Sequence, residues 1–139
     1  MKNRILVHFT LTGTGFEPDE VTTATGLSPD KVWRVGDVIG GSRRTYEHNG
    51  WRLASGTGDT LDVGEQLEAL LGRLEPARSG LERFMTTEHA EIGCVVYAHE
   101  SVPEMHFSRE ALRRVADLGA GIDVDLYCLI EEAGEGTRS

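Results

Sequence analysis

The chain has 139 residues, of which 39% are hydrophobic, and its formal net charge is −9. A chain of this length buries roughly 68% of the surface that it exposes when unfolded, so its core needs no metal or disulfide. The acidic surface repels phosphate backbones and anionic membranes, and we therefore expect neither nucleic-acid nor membrane binding. Such a surface tolerates a basic protein partner and can steer it towards the chain. The alternative is that the charge serves only solubility.

The N-terminal segment and the cysteines predict a cytoplasmic location. The apolar run after Met1–Arg4 is shorter than the roughly 7–15 residues of a secretory signal. No apolar run approaches the roughly 20 residues of a membrane span. Cys94 and Cys128 both lie in apolar runs, so we expect reduced thiols in the core. The alternative is one buried disulfide between neighbouring strands.

The first half of the chain contains a strand, a short helix and a turn signal. Residues 4–11 alternate as a strand does, with one apolar face: Ile5, Val7, Phe9 and Leu11. A helix is predicted from Pro18, with Gly26 as its C-terminal cap. Asn49-Gly50 is typical of a hairpin turn, which predicts two short antiparallel strands over residues 43–48 and 51–55.

Residues 62–74 give the clearest helical signal. Asp62 and Glu65 have the spacing of a capping box. The segment also has an apolar stripe at helical spacing: Val63, Leu67, Leu70, Leu71 and Leu74. Pro76 ends this helix, and residues 78–86 add one or two helical turns.

Two strands and a helix are predicted in the rest of the chain. Residues 90–98 alternate as a central strand. Ser108 is typical of an N-cap and begins a helix whose apolar face includes Leu112. Residues 122–130 form the last strand, in which apolar side chains alternate with Asp123, Asp125, Tyr127 and Leu129.

These elements predict an α+β fold. We expect a mainly antiparallel sheet of about five strands, with three main helices largely on one of its faces. The fold occupies residues 1–133 as a single domain, and residues 134–139 form a polar C-terminal tail.

The order of these segments resembles the bacterial domain-of-unknown-function family 4279. The resemblance covers roughly residues 4–130 and depends on an ordered set of segments: Phe16–Val21, Thr25–Pro29, Gly36, Trp51, Leu67–Leu74, Phe107–Leu112, Leu118–Ala120 and Asp123–Tyr127. It implies the fold and an intracellular bacterial setting. It implies no activity.

The last strand carries the first set of candidate binding residues. Asp123, Asp125 and Tyr127 share one face, because strand side chains repeat every two residues. His8 lies on the same face if the first strand is a neighbour, and nearby carboxylates would raise its pKa. The alternative is a solvated polar face of a sheet that is covered on one side only.

The second set lies between residues 40 and 51. Gly40-Gly41 precedes Arg43 and Arg44, which offer guanidinium groups to an anion. Trp33 and Trp51 are, together with Tyr46, candidate walls of a ligand groove. The alternatives are an ordinary surface turn and a tryptophan that anchors the core.

The sequence contains no pattern that assigns catalytic residues, a metal site or a cofactor. We therefore expect a non-enzymatic protein-binding module, one version of which is an immunity-type antagonist that captures a basic toxin. The alternative is a small-molecule-binding protein or enzyme that uses a groove between the sheet and the loops. The sequence leaves the oligomeric state open.

Overall fold

A computed structural model describes residues 1–131, so the predicted tail over residues 134–139 lies outside the described residues. The strands are β1 (Arg4–Gly13), β2 (Lys31–Trp33), β3 (Asn49–Ala54), β4 (His89–Ala98) and β5 (Gly121–Cys128). The helices are α1 (Pro18–Thr25), α2 (Val63–Leu74), α3 (Arg78–Thr87) and α4 (Arg109–Leu118), with a 3₁₀ turn at Glu75–Ala77. The predicted α+β class is confirmed.

The five strands form one mixed sheet in the order β2-β3-β1-β4-β5. β1 lies at the centre and pairs antiparallel with β3 and β4, and β2 pairs antiparallel with β3. β5 is parallel to β4, because α4 carries the chain back across the sheet before β5 begins. β2 and β5 are therefore the two edge strands.

The helices cover one face of this sheet. The predicted apolar face of β1 is fully or almost fully buried, as is the matching face of β4. Side chains from all four helices complete the same core, including Val21, Leu67, Leu81 and Val115. No helix from residues 1–131 lies on the opposite side of the sheet, and we call this side the open face.

The predicted helix ends are confirmed for α1 and α2. Gly26 caps α1 with a φ of 74°, which lies in the left-handed region that glycine adopts without strain. At α2, the Asp62 carboxylate accepts from the Glu65 N–H at 2.8 Å and the Glu65 carboxylate accepts from the Asp62 N–H at 3.3 Å. α3 is longer than predicted and makes a fourth helix.

The predicted hairpin at Asn49-Gly50 is wrong, because both residues begin β3. The Asn49 amide is buried, where it donates to the Phe16 carbonyl at 2.7 Å and accepts from the Val35 N–H at 2.9 Å. Gly50 lies beneath the Trp33 indole, which a Cβ at this position would overlap. The chain instead reverses within residues 34–48.

The prediction of two core thiols is correct for Cys94 and wrong for Cys128. Cys94 is buried, whereas Cys128 is exposed on β5, and both are free. Cys94 pairs with Val124 and Cys128 with Ala98, so the two cysteines are four residues out of register, or about 13 Å apart along the strands. This offset also excludes the alternative disulfide.

Two apolar positions in the second half are more exposed than their patterns indicate. Leu112 is 45% exposed, and α4 buries Ala111, Val115 and Leu118 instead. β5 ends at Cys128, and its side chains are exposed on both faces apart from half-buried Ile122. The cause is that β5 lies at the sheet edge, beyond the area that the helices cover.

Candidate functional site

Four of the eight predicted site residues lie on the β1, β4 and β5 part of the open face: His8, Asp123, Asp125 and Tyr127. Strand pairing places His8, Gly93 and Asp123 in one row across β1, β4 and β5. The two neighbouring rows contain Leu6, Val95 and Asp125, and Arg4, Tyr97 and Tyr127. His8 therefore shares a face with Asp123 and Asp125, but the condition for its contact with them is not met, because β4 lies between β1 and β5.

The β5 end of the open face carries carboxylates without cations. Asp123 and Asp125 are both exposed and lie one pleat apart on the same side of β5. Within residues 1–131, neither has a basic side chain within the 4.0 Å of an ion pair. Glu91 on β4 has only the His89 ring, at 3.5 Å. Three carboxylates thus leave this part of the surface negatively charged.

Stacked tyrosines adjoin the carboxylates. The rings of Tyr97 and Tyr127 lie 5.3 Å apart at an interplanar angle of 14°. Arg4 covers the Tyr97 ring at 5.4 Å and also donates to Asp59 at 2.9 Å. Tyr127 remains 49% exposed, so the stack presents a fixed aromatic surface beside the charged one.

His8 occupies the middle of the open face as a neutral imidazole. Its ring lies over Gly93, where a Cβ would come within 2.5 Å of Nε2. Burial of the ring, and to a smaller extent the nearby Arg52, lower the pKa of His8 to about 4. The expected rise is not found, because Asp123 is two strands away, or about 10 Å.

An open groove of about 490 Å³ adjoins His8. It lies between β1 and the loop over residues 55–59, and Arg52 from β3 forms part of its wall. The Arg52 guanidinium donates to the Thr10 hydroxyl at 3.3 Å and has no carboxylate partner within residues 1–131. The groove therefore combines a neutral ring with an unpaired cation.

The segment from β2 to β3 is rich in basic residues. Residues 31–52 contain five basic and two acidic side chains in a chain whose net charge is −9. Trp33 is buried there between Gly50 and Tyr46, whose ring stacks on the indole at 5.1 Å. Arg43 and Arg44 are exposed on the turn at residues 39–44, which the Ile39 N–H closes on the Arg44 carbonyl at 2.8 Å.

Trp51 lies on the other side of the sheet from these residues. It is fully buried in the core, and its indole N–H donates to the Thr22 hydroxyl at 3.0 Å. None of the five main cavities of the described residues brings together the residues that were expected to share a small-molecule groove: His8, Arg43, Arg44, Tyr46, Trp51 and Asp125. Only His8 lines the groove beside β1.

Sequence reasoning missed several residues of this site. Tyr97 and Glu91 join the acidic end through strand register, and no local pattern marks them. The groove loop has a signal that was available, since Ser55-Gly56-Thr57-Gly58-Asp59 alternates glycine with polar residues directly after a strand. Gly56 and Gly58 both have positive φ values, 84° and 83°.

The fold and the open face define an α+β domain with a mixed sheet that is covered by helices on one side. The chain belongs to the family described as Domain of unknown function (DUF4279), whose model matches residues 3–129. No curated protein and no solved structure matches the chain. Within residues 1–131, no helix has the length and apolar character that crossing a membrane requires.

Proposed function

We propose that the chain is a non-enzymatic protein-binding module that binds a basic partner at the β5 end of its open face. The observation that carries this proposal is the pair of exposed carboxylates, Asp123 and Asp125, without a cation from residues 1–131. Two carboxylates on neighbouring pleats of one strand repel each other when both are ionised. A cation from a partner removes this repulsion.

The surroundings of the carboxylates support a protein as the partner. Tyr127 and Tyr97 present a rigid stacked surface next to them, and tyrosine is enriched among residues that dominate binding energies. The net charge of −9 steers a basic partner towards the chain during encounter. An acidic surface with an aromatic anchor thus suits fast capture followed by close packing.

The particular version that we propose is an immunity-type antagonist of a basic toxin. Such a protein needs rapid association, which complementary charge supplies, and it needs no chemistry of its own. The matching requirement is that the toxin carries basic side chains around the site that it uses on its target. Asp123 and Asp125 would then occupy positions that an anionic substrate takes.

The groove beside His8 favours one other function, the binding of a small anion. Arg52 supplies an unpaired guanidinium, and the neutral His8 ring supplies a hydrogen-bond donor or acceptor. Binding there would shift the NMR signals of His8 and leave those of Asp123 unchanged. A response confined to the groove would therefore favour this alternative over protein binding.

The test is a matched pair of variants in an affinity capture. The site variant carries Asp123→Asn and Asp125→Asn, and the control carries Glu110→Gln and Asp117→Asn on exposed positions of α4. Each variant loses two negative charges. We expect a basic protein that the parent chain and the control retain at low salt and the site variant loses, and this dependence is then measured by calorimetry with the purified protein.

Capture that is equal for all three chains, or no capture of a basic protein, would contradict the proposal. The immunity version has a separate readout, because coexpression with the captured protein must restore growth for the parent chain and fail to do so for the site variant.

A further inference from the structure

Within residues 1–131, nothing pairs with the outer backbone edge of β5. It is the last strand of the described sheet, in which β4 is its one neighbour. The Leu129 N–H donates to the Ala98 carbonyl at 2.7 Å. In a parallel pair the N–H and C=O of one residue point to the same side of the strand, and alternate residues point to opposite sides. Because Leu129 bonds to β4, the backbone groups of the odd-numbered β5 residues point towards β4. The backbone N–H and C=O groups that point away from the sheet belong to Ile122, Val124, Leu126 and Cys128.

This edge is also apolar and long. Val124 and Leu126 are 42% and 43% exposed on the side of the core, and Leu129 and Ile130 beyond the strand are 49% and 38% exposed. β5 has eight residues, contains no proline or lysine and forms no bulge. Folded proteins usually protect such an edge with charges, bulges or a covering segment. The opposite edge, β2, has only three residues.

We propose that β5 is a homodimerisation strand, which pairs antiparallel with β5 of a second copy across a two-fold axis at Leu126. The two five-stranded sheets then form one continuous sheet. A two-fold axis makes the contact isologous, so the same strand supplies both sides of the interface.

The register follows from the backbone phase and the charges. Because even-numbered residues point outward, an even-numbered residue must pair with an even-numbered residue of the other copy. An axis at Asp125 places this carboxylate opposite itself, and an axis at Tyr127 places Asp123 opposite Glu131. Like charges that lie directly opposite are destabilising.

The axis at Leu126 avoids both conflicts. It pairs Leu126 with Leu126, Val124 with Cys128, and Ile122 with the second copy's Ile130, so every pair on the core side is apolar. On the open face it places Asp125 opposite Tyr127 and Asp123 opposite Leu129. A second copy therefore matches the apolar side of the strand, whereas a peptide that is basic at every position would place half of its cations against that side.

The interface is small, so we expect a weak dimer. Its exposed side chains on both copies give a buried area on the order of 1,000 Å², which is near the lower limit for a specific interface. Each copy carries a charge of −9, so salt screens the repulsion and strengthens the dimer. Capture of a basic partner has the opposite salt dependence, and the dimer does not depend on the proposed function.

The test combines sedimentation with cysteine cross-linking of the full chain. Val124→Cys places a thiol opposite Cys128 of the second copy, at the Cα separation of about 5.5 Å that a disulfide requires. Under mild oxidation we expect this variant to form a covalent dimer. The parent chain, whose Cys128 faces Val124, and the control Ala116→Cys on exposed α4 should remain largely uncrosslinked.

Sedimentation velocity from about 10 μM to about 1 mM covers the range in which weak interfaces dissociate. We expect dimer to accumulate with concentration and with salt, and Leu126→Lys to raise the dissociation constant at least about tenfold. An unchanged circular dichroism spectrum shows that the lysine variant is folded, as its exposed position allows.

Three results would overturn the proposal. They are a monomer at every concentration, cross-linking of Val124→Cys that does not exceed that of Ala116→Cys, and dimerisation that Leu126→Lys leaves unchanged. A monomer that becomes dimeric only after removal of residues 132–139 would show that the chain covers its own edge. If a basic peptide protects the β5 edge and a second copy of the chain does not, the edge is a binding site for a partner and not for dimerisation.

Discussion

Replacing Gln66 with leucine tests how the central strand is joined to the helix layer. Gln66 is 1% exposed on α2, and its side chain makes four hydrogen bonds. The amide nitrogen donates to the Ile5 and Leu61 carbonyls, and the oxygen accepts from the Val7 N–H at 3.0 Å and the Ser55 hydroxyl at 3.1 Å. One side chain therefore provides hydrogen-bond partners for the backbone groups of Ile5 and Val7, which lie in the part of β1 that does not pair with β3.

The expected cost follows from the groups that leucine leaves unpaired. The Ile5 carbonyl and the Val7 N–H are buried, and each unsatisfied buried group costs about 1–3 kcal/mol. Leucine recovers about 1 kcal/mol through apolar burial. We therefore expect Gln66→Leu to lower the free energy of unfolding by about 1–5 kcal/mol, which moves a urea midpoint by about 1–3 M at a slope of roughly 1.5 kcal/mol/M.

The assay is urea unfolding followed by tryptophan fluorescence and circular dichroism. Glu68→Leu on the exposed side of the same helix is the control, and loss of its ion pair with Arg114 should cost less than about 1 kcal/mol. A loss of less than about 1 kcal/mol in Gln66→Leu, with an unchanged denaturant slope, would refute this account.

A glutamate at the same position adds a pH readout. A neutral carboxyl group can both donate and accept, but a carboxylate only accepts. Burial raises the pKa of an acid above its unfolded value of about 4.3. The contribution of Gln66→Glu to stability is therefore complete below about pH 4 and is lost as the pH rises. If this variant were equally stable at acidic and neutral pH, the hydrogen bonds of residue 66 would not determine the stability of the domain.

Two further predictions concern the open face. Gly50→Ala places a methyl group where the Trp33 indole lies. We therefore expect the free energy of unfolding in urea to fall by about 1–3 kcal/mol and the fluorescence of Trp33 to change. An unchanged urea midpoint would show that the ring moves freely. The pKa of His8 is lowered to about 4 from 6.5, so its stabilising effect is complete above about pH 6.5 and is lost as the pH falls towards 4. His8→Phe should lose this part of the acid sensitivity in melting temperatures between pH 7 and 4.5, and an identical pH profile would contradict it.

The parts of the fold that could be predicted are those that local patterns determine. The alternation of Ile5 to Leu11 identifies β1 because one side of that strand is buried along its whole length. The α2 helix is predicted within one residue because its capping box and its apolar stripe lie in the same segment. Neither inference needs to know what packs against the element.

The errors arise where a distant part of the chain decides the outcome. Asn49-Gly50 has the composition of a turn, but Asn49 is held by backbone groups of Phe16 and Val35, and Gly50 by the Trp33 ring. The apolar alternation of β5 is the same for a central and for an edge strand. Only the strand order and the position of α4 show that Val124 remains exposed.

The candidate site depends on strand order in the same way. The sequence places Asp123 and Asp125 on one side of a strand, because that periodicity is local. It does not place Tyr97 beside Tyr127, since this contact requires the parallel register of β4 and β5. It also does not give the pKa of His8, which depends on a glycine in the next strand and on Arg52.

The two proposed associations use β5 through different chemical groups. Partner capture uses the carboxylates of Asp123 and Asp125 on the open face, whereas dimerisation uses the backbone edge and the apolar side chains around Leu126. Neutralising the carboxylates should therefore weaken capture and relieve repulsion within the dimer, and Leu126→Lys should disrupt the dimer without removing a carboxylate. Because salt also acts on the two in opposite directions, a partner that binds only the dimer would show affinity that rises and then falls with ionic strength.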